Sequence, residues 1–175
     1  MTEQTAKLVT ACIFAIPGLF ALALPGCARR AARGFPDSRP VGMLLSTMAL
    51  LWAAALIYYT PLDFIASFRI HLTAFLLVSI PLSWMWMRTL LAARSLGALM
   101  CLVPAPVLVA VRFAPGAGRL VTVSLMYVVA VAGMISTFSP YYMRDALFRF
   151  NGAGNAAARA IGALMLAAGL AAFLA

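Results

Sequence analysis

The chain has 175 residues, 65% of them hydrophobic and only 10% charged, with a formal net charge of +9. Soluble domains carry about 25% charged residues, so this composition cannot build a water-facing surface and excludes a soluble enzyme or binding module. The basic excess does not point to nucleic acid: apart from Lys7 every base is an arginine, and these sit between apolar runs, where arginine anchors to anionic headgroups and sets orientation.

Residues 8–24 run without a charge, enough for a helix across a hydrocarbon core about 30 Å thick with every backbone group bonded internally. The sequence Leu24-Pro25-Gly26-Cys27 that follows is similar to a bacterial lipoprotein cleavage box. Glu3 spoils the basic start of such a signal and Pro25 sits badly beside the cleavage point, so the segment is expected to remain as a span. Arginine and proline then punctuate five further candidates, 41–59, 70–87, 96–112, 120–138 and 157–175. Pro81 predicts a kink in the third. Pro104 and Pro106 predict that the fourth is broken or re-entrant, and the sixth is alanine-rich. The expected fold is a single-domain, all-α integral membrane protein of about six transmembrane helices, five if 96–112 is re-entrant, with short basic interfacial segments.

With six spans, one side receives Lys7, Arg69, Arg112 and Arg119, and the other receives the remaining nine arginines. The positive-inside rule places the connections 25–40, 88–95 and 139–156 in the cytoplasm and both termini outside. Two of these connections share a pattern. Pro25, Arg29, Phe35, Arg39 and Gly42 are matched by Pro140, Arg144, Phe150, Arg159 and Gly162, with five extra residues within 151–155. The match suggests a parallel repeat of 8–59 and 120–175. It is explained equally by shared interface chemistry, in which arginines anchor and a phenylalanine dips into the headgroup boundary. Either way Arg29, Arg30, Arg33, Arg39, Arg144, Arg149 and Arg159 are the expected contacts to lipid headgroups or a partner.

Few residues offer chemistry. Asp63, Arg69 and His71 form a candidate polar site at the outer face, with an ordinary interfacial turn as the plainer explanation. His71 is the only histidine, which excludes bis-histidine haem ligation and leaves one candidate axial ligand. No cofactor and no metal site is expected, because ligand clusters at the right spacing are missing. Trp84 and Trp86 precede Arg88 as an aromatic belt at a span end. Asp145 is placed to pair with Arg149 one turn on. Small residues at Gly162, Ala163, Ala167 and Ala171 predict a helix-packing face on the last span.

These features lead to the expectation of a non-enzymatic multipass protein, an accessory or structural subunit of a larger membrane complex in a bacterial inner membrane. Its expected partners are membrane lipids and other membrane subunits or copies of itself. A small transporter, channel or lipid-handling protein is the alternative, supported by the proline-interrupted fourth span.

Overall fold

The computed structural model describes residues 3–59, 68–86, 90–113, 117–152 and 154–174. Among them there is no strand. The elements are α1 (Glu3–Ala23), α2 (Pro25–Gly34), α3 (Arg39–Tyr59), α4 (Arg69–Trp86), α5 (Leu91–Leu102), α6 (Pro104–Ala110), α7 (Ala117–Phe138), α8 (Pro140–Gly152) and α9 (Gly154–Leu174).

Five segments are long and apolar enough to cross a membrane: α1, α3, α5 together with α6 (Leu91–Ala110), α7 from Gly118, and α9, each 20 or 21 residues. The proline pair does not turn the fourth segment back. Val103 keeps helical dihedrals and its N–H donates to the Leu99 carbonyl at 3.0 Å. Pro104 then occupies the first position of α6, where a missing N–H costs nothing. The third expected span, α4, is not among these five over its described residues. It has 18 described residues, a rise of roughly 27 Å, and it opens on Arg69 and His71 and carries Thr73, Ser79, Pro81 and Ser83.

Side-chain contacts fix the direction of α4. The Trp84 indole, near its end, donates to Ser46 Oγ near the start of α3 at 3.2 Å, so the two helices are antiparallel. Ser95, near the start of α5, donates to the Gly42 carbonyl at 3.4 Å, which returns the chain to the same end. The long segments therefore run up and down in alternation. The connections that carry α2 and α8 and the start of α5 gather at one end, hereafter the basic end, and α1 lies antiparallel against α9.

The helices meet through small residues. A Cβ added at Gly18 would lie 2.9 Å from the Gly162 carbonyl oxygen, and one at Gly162 would lie 2.8 Å from the Gly18 carbonyl oxygen. Gly97 of α5 and Gly133 of α7 meet in the same way: a Cβ added at either would lie 2.8 Å from the other's carbonyl oxygen. A Cβ added at Gly42 of α3 would lie 2.9 Å from the Ala92 backbone nitrogen in α5. Such contacts let backbones approach closely where lipid removes the hydrophobic drive for helix association. An apolar cluster of Ala6, Val107, Val111, Met126 and Val129 fills the space where α1, α6 and α7 converge.

The packing face of α9 differs from the alanine stripe expected of it. Ala158, Gly162, Gly169 and Ala172 are buried, whereas Ala163, Ala167 and Ala171 are exposed. The four-residue spacing of the stripe drifts around a helix of 3.6 residues per turn, and the buried set, at steps of four, seven and three, stays on one side. Gly162→Ala is expected to lose about 1–3 kcal/mol through overpacking against backbone, read as a lower melting temperature in detergent. Gly26→Ala, whose added Cβ meets nothing within 4 Å, is expected to leave that temperature unchanged.

Candidate functional site

The two basic connections fold into the amphipathic helices α2 and α8, each opened by a buried proline, Pro25 and Pro140. Proline's fixed φ suits a first helical position. In both helices the apolar residues recur at helical spacing: Ala28, Ala31, Ala32 and Phe35 on the first side, and Met143, Ala146, Leu147 and Phe150 on the other. The two faces lie toward each other. Together with residues of α1, α9 and α5 they enclose an almost wholly apolar cleft of about 460 Å³. Phe35 and Phe150, ten residues after their respective prolines, both line it.

Arg29 holds this arrangement together. Its Nε and one terminal nitrogen donate to the Asn151 carbonyl, the former at 2.7 Å, and the other terminal nitrogen donates to Asn155 Oδ1 at 2.8 Å. Asn151 lies in the last turn of α8, whose carbonyls have no intrahelical partner, and a guanidinium there satisfies both the hydrogen bond and the helix dipole. Gly154, at φ +85, supplies the left-handed backbone of the turn between Asn151 and Asn155. This turn is the five-residue excess of the second connection over the first.

The other arginines at this end are less engaged. Arg30, Arg33, Arg39, Arg149 and Arg159 are exposed. Arg144, which matches Arg29 in the repeated pattern, lies over the Tyr141 ring at 5.5 Å. Its Nε is 4.0 Å from Asp145, so Asp145 sits against Arg144 and not against Arg149. The structure thus brings α2 and α8 together but leaves most of their guanidinium groups facing outward.

A second groove of about 490 Å³ lies between α3, α4, α5 and α7 near the same end. Ser46, Ser83, Arg94, Ser95 and Thr137 line part of it. The hydroxyls, scattered in sequence, converge here, and each donates mainly within its own helix: Ser46 to Met43, Ser83 to Ile80, Ser95 to Leu91 at 2.6 Å with the longer contact to Gly42 beside it, and Thr137 to Gly133. What they present to the groove is acceptor oxygen, and Ser46 uses its own to receive Trp84. The indole is turned into the bundle, unlike Trp86, which is exposed. The belt role expected of the pair therefore fits the placement of Trp86, and Trp84 serves as a packing residue.

At the opposite end, Asp63 lies outside the described residues. Arg69 is half-buried at the start of α4 and His71 is exposed. Among the described residues no group of three His, Cys, Asp or Glu side chains is placed to hold a metal ion. Comparison with protein-family models, with characterised proteins and with solved structures finds no match.

Arg29→Ala removes the link between α2 and the α8–α9 turn. Amide exchange in α2 is expected to rise about tenfold or more, equivalent to about 1.4 kcal/mol, in hydrogen-exchange mass spectrometry. Arg29→Lys is expected to restore little of it, since an ammonium cannot reproduce the forked geometry.

Proposed function

We propose that this chain is a non-enzymatic multipass membrane protein serving as an accessory or structural subunit of a larger membrane complex. It crosses six times, with its basic end on the cytoplasmic side of a bacterial inner membrane. The reading rests above all on α4. Over its described residues this helix is not among the five segments long and apolar enough to cross a membrane, and it is the one of the six with the weakest cover. It packs on α3, none of its residues is buried, and Phe75 and Val78 are 68% and 65% exposed. Lipid covers an apolar helix without cost but is a poor neighbour for a helix that opens on a cation and carries several hydroxyls. A protein surface that packs and hydrogen-bonds against it is the better neighbour.

Native mass spectrometry after mild extraction from the source membrane tests this directly. Larger subunits at fixed stoichiometry are expected, and a photo-crosslinking residue at Val78 is expected to label one of them while the same residue at Leu164 of α9 labels lipid. A lone monomer or homo-oligomer with no crosslinked partner at Val78 would overturn the proposal. The cleft between α2 and α8 favours a second reading, a small lipid-handling protein, because a cavity lined by hydrocarbon beneath a cationic rim matches the two halves of an anionic lipid.

A further inference from the structure

The cleft between α2 and α8 has the size of a ligand pocket, about 460 Å³ against the roughly 300–1,000 Å³ usual for small-molecule sites. Its walls are hydrocarbon: Phe20 of α1, Phe35 of α2, Leu147 and Phe150 of α8, and Ile161 and Met165 of α9. The space arises because α2 offers alanines at Ala28, Ala31 and Ala32 where larger side chains would fill it.

What belongs in the cleft follows from its depth and its rim. An amphipathic helix at a membrane surface buries its apolar face about 5–10 Å into the boundary between headgroups and acyl chains. With α2 and α8 at that level, their apolar faces address the first carbons of the acyl layer and their arginines address the phosphates. Arg33 and Arg149 neighbour the lining residues Ala32 and Phe150 in sequence and are exposed, though neither belongs to the lining itself. Arg29 closes one side through its bonds to Asn151 and Asn155. Seven arginines of these connections (29, 30, 33, 39, 144, 149 and 159) are set against two carboxylates, Asp37 and Asp145, so the connections that carry α2 and α8 have an unbalanced positive charge.

We propose that this cleft is a specific site for an anionic membrane lipid, with one acyl chain between α2 and α8 and the phosphate held by Arg33 and Arg149. The site is independent of the accessory-subunit reading, since it uses none of the surface of α4. Anionic lipid bound there also bridges the two helices that Arg29 joins by side-chain hydrogen bonds.

The test uses the full chain in nanodiscs of equimolar phosphatidylglycerol and phosphatidylcholine. Native mass spectrometry after release into detergent is expected to show phosphatidylglycerol retained at least about fivefold over phosphatidylcholine at one lipid per chain. Ala32→Trp is expected to abolish that retained lipid by filling the cleft. Arg33→Gln with Arg149→Gln is expected to remove the anionic preference while leaving chain binding. Because the tryptophan variant can fail to fold, the unaltered chain is also labelled with phosphatidylglycerol carrying a diazirine in its acyl chain. Adducts at Phe35, Leu147 or Ile161 are expected. Adducts confined to outward residues such as Leu164 and Phe173, equal retention of the two lipids, or undiminished retention by a folded Ala32→Trp variant would each overturn the proposal.

Discussion

Close approach of backbones governs this bundle. Helices surrounded by hydrocarbon gain nothing from burying apolar side chains against one another, because lipid is equally apolar, so association depends on van der Waals contact and short-range polar interactions. Gly18 with Gly162 and Gly97 with Gly133 supply that contact by letting each helix press on the other's carbonyl oxygens. Gly42 does the same for α3 against α5. These three joints set α5 between α3 and α7 and close α1 onto α9. The remaining helices take their places around that frame.

The frame has a consequence at the basic end. With α1 on α9 and α7 packed beside α9, the helices that follow α1 and α7 are delivered to neighbouring positions, and α2 meets α8 face to face. The two connections carry matching residues, but they are not used alike. Arg29 reaches the last turn of α8 and the turn beyond it, whereas Arg144 stays over its own Tyr141. The five additional residues around Gly154 account for the difference, since they create the carbonyl and the asparagine that Arg29 binds. Cationic side chains are thus divided between one structural clamp and a set of outward-facing groups.

Most hydroxyls inside the long helices are quiet by comparison, Thr122 of α7 being the one fully buried hydroxyl among the described residues for which no hydrogen-bond partner is found. Thr10, Ser95 and Ser136 are buried and donate to carbonyls one turn earlier in their own helices, the usual settlement for a hydroxyl in an apolar setting. Even where several hydroxyls share a groove, their protons are already committed. The distinctive surfaces among the described residues are the thinly covered α4 and the apolar cleft between α2 and α8.

Sequence by itself determined the all-helical class, the approximate ends of the five segments long and apolar enough to cross a membrane, and the clustering of arginines on alternate connections. Each follows from local quantities: runs of apolar residues, punctuation by proline and arginine, and the length of helix a bilayer demands. It also picked out Gly162 and the prolines and phenylalanines of the two connections. It could not rank α4 below the other long segments in cover, because burial depends on which helices become neighbours. The alanine stripe of α9 misled for a related reason, since a repeat of four is legible in sequence but the side that faces α1 is decided by the partner's glycine. The roles of Arg29 and Trp84 were out of reach altogether. Their partners lie 122 and 38 positions away, and only the packed bundle brings such distant groups within a hydrogen bond's length.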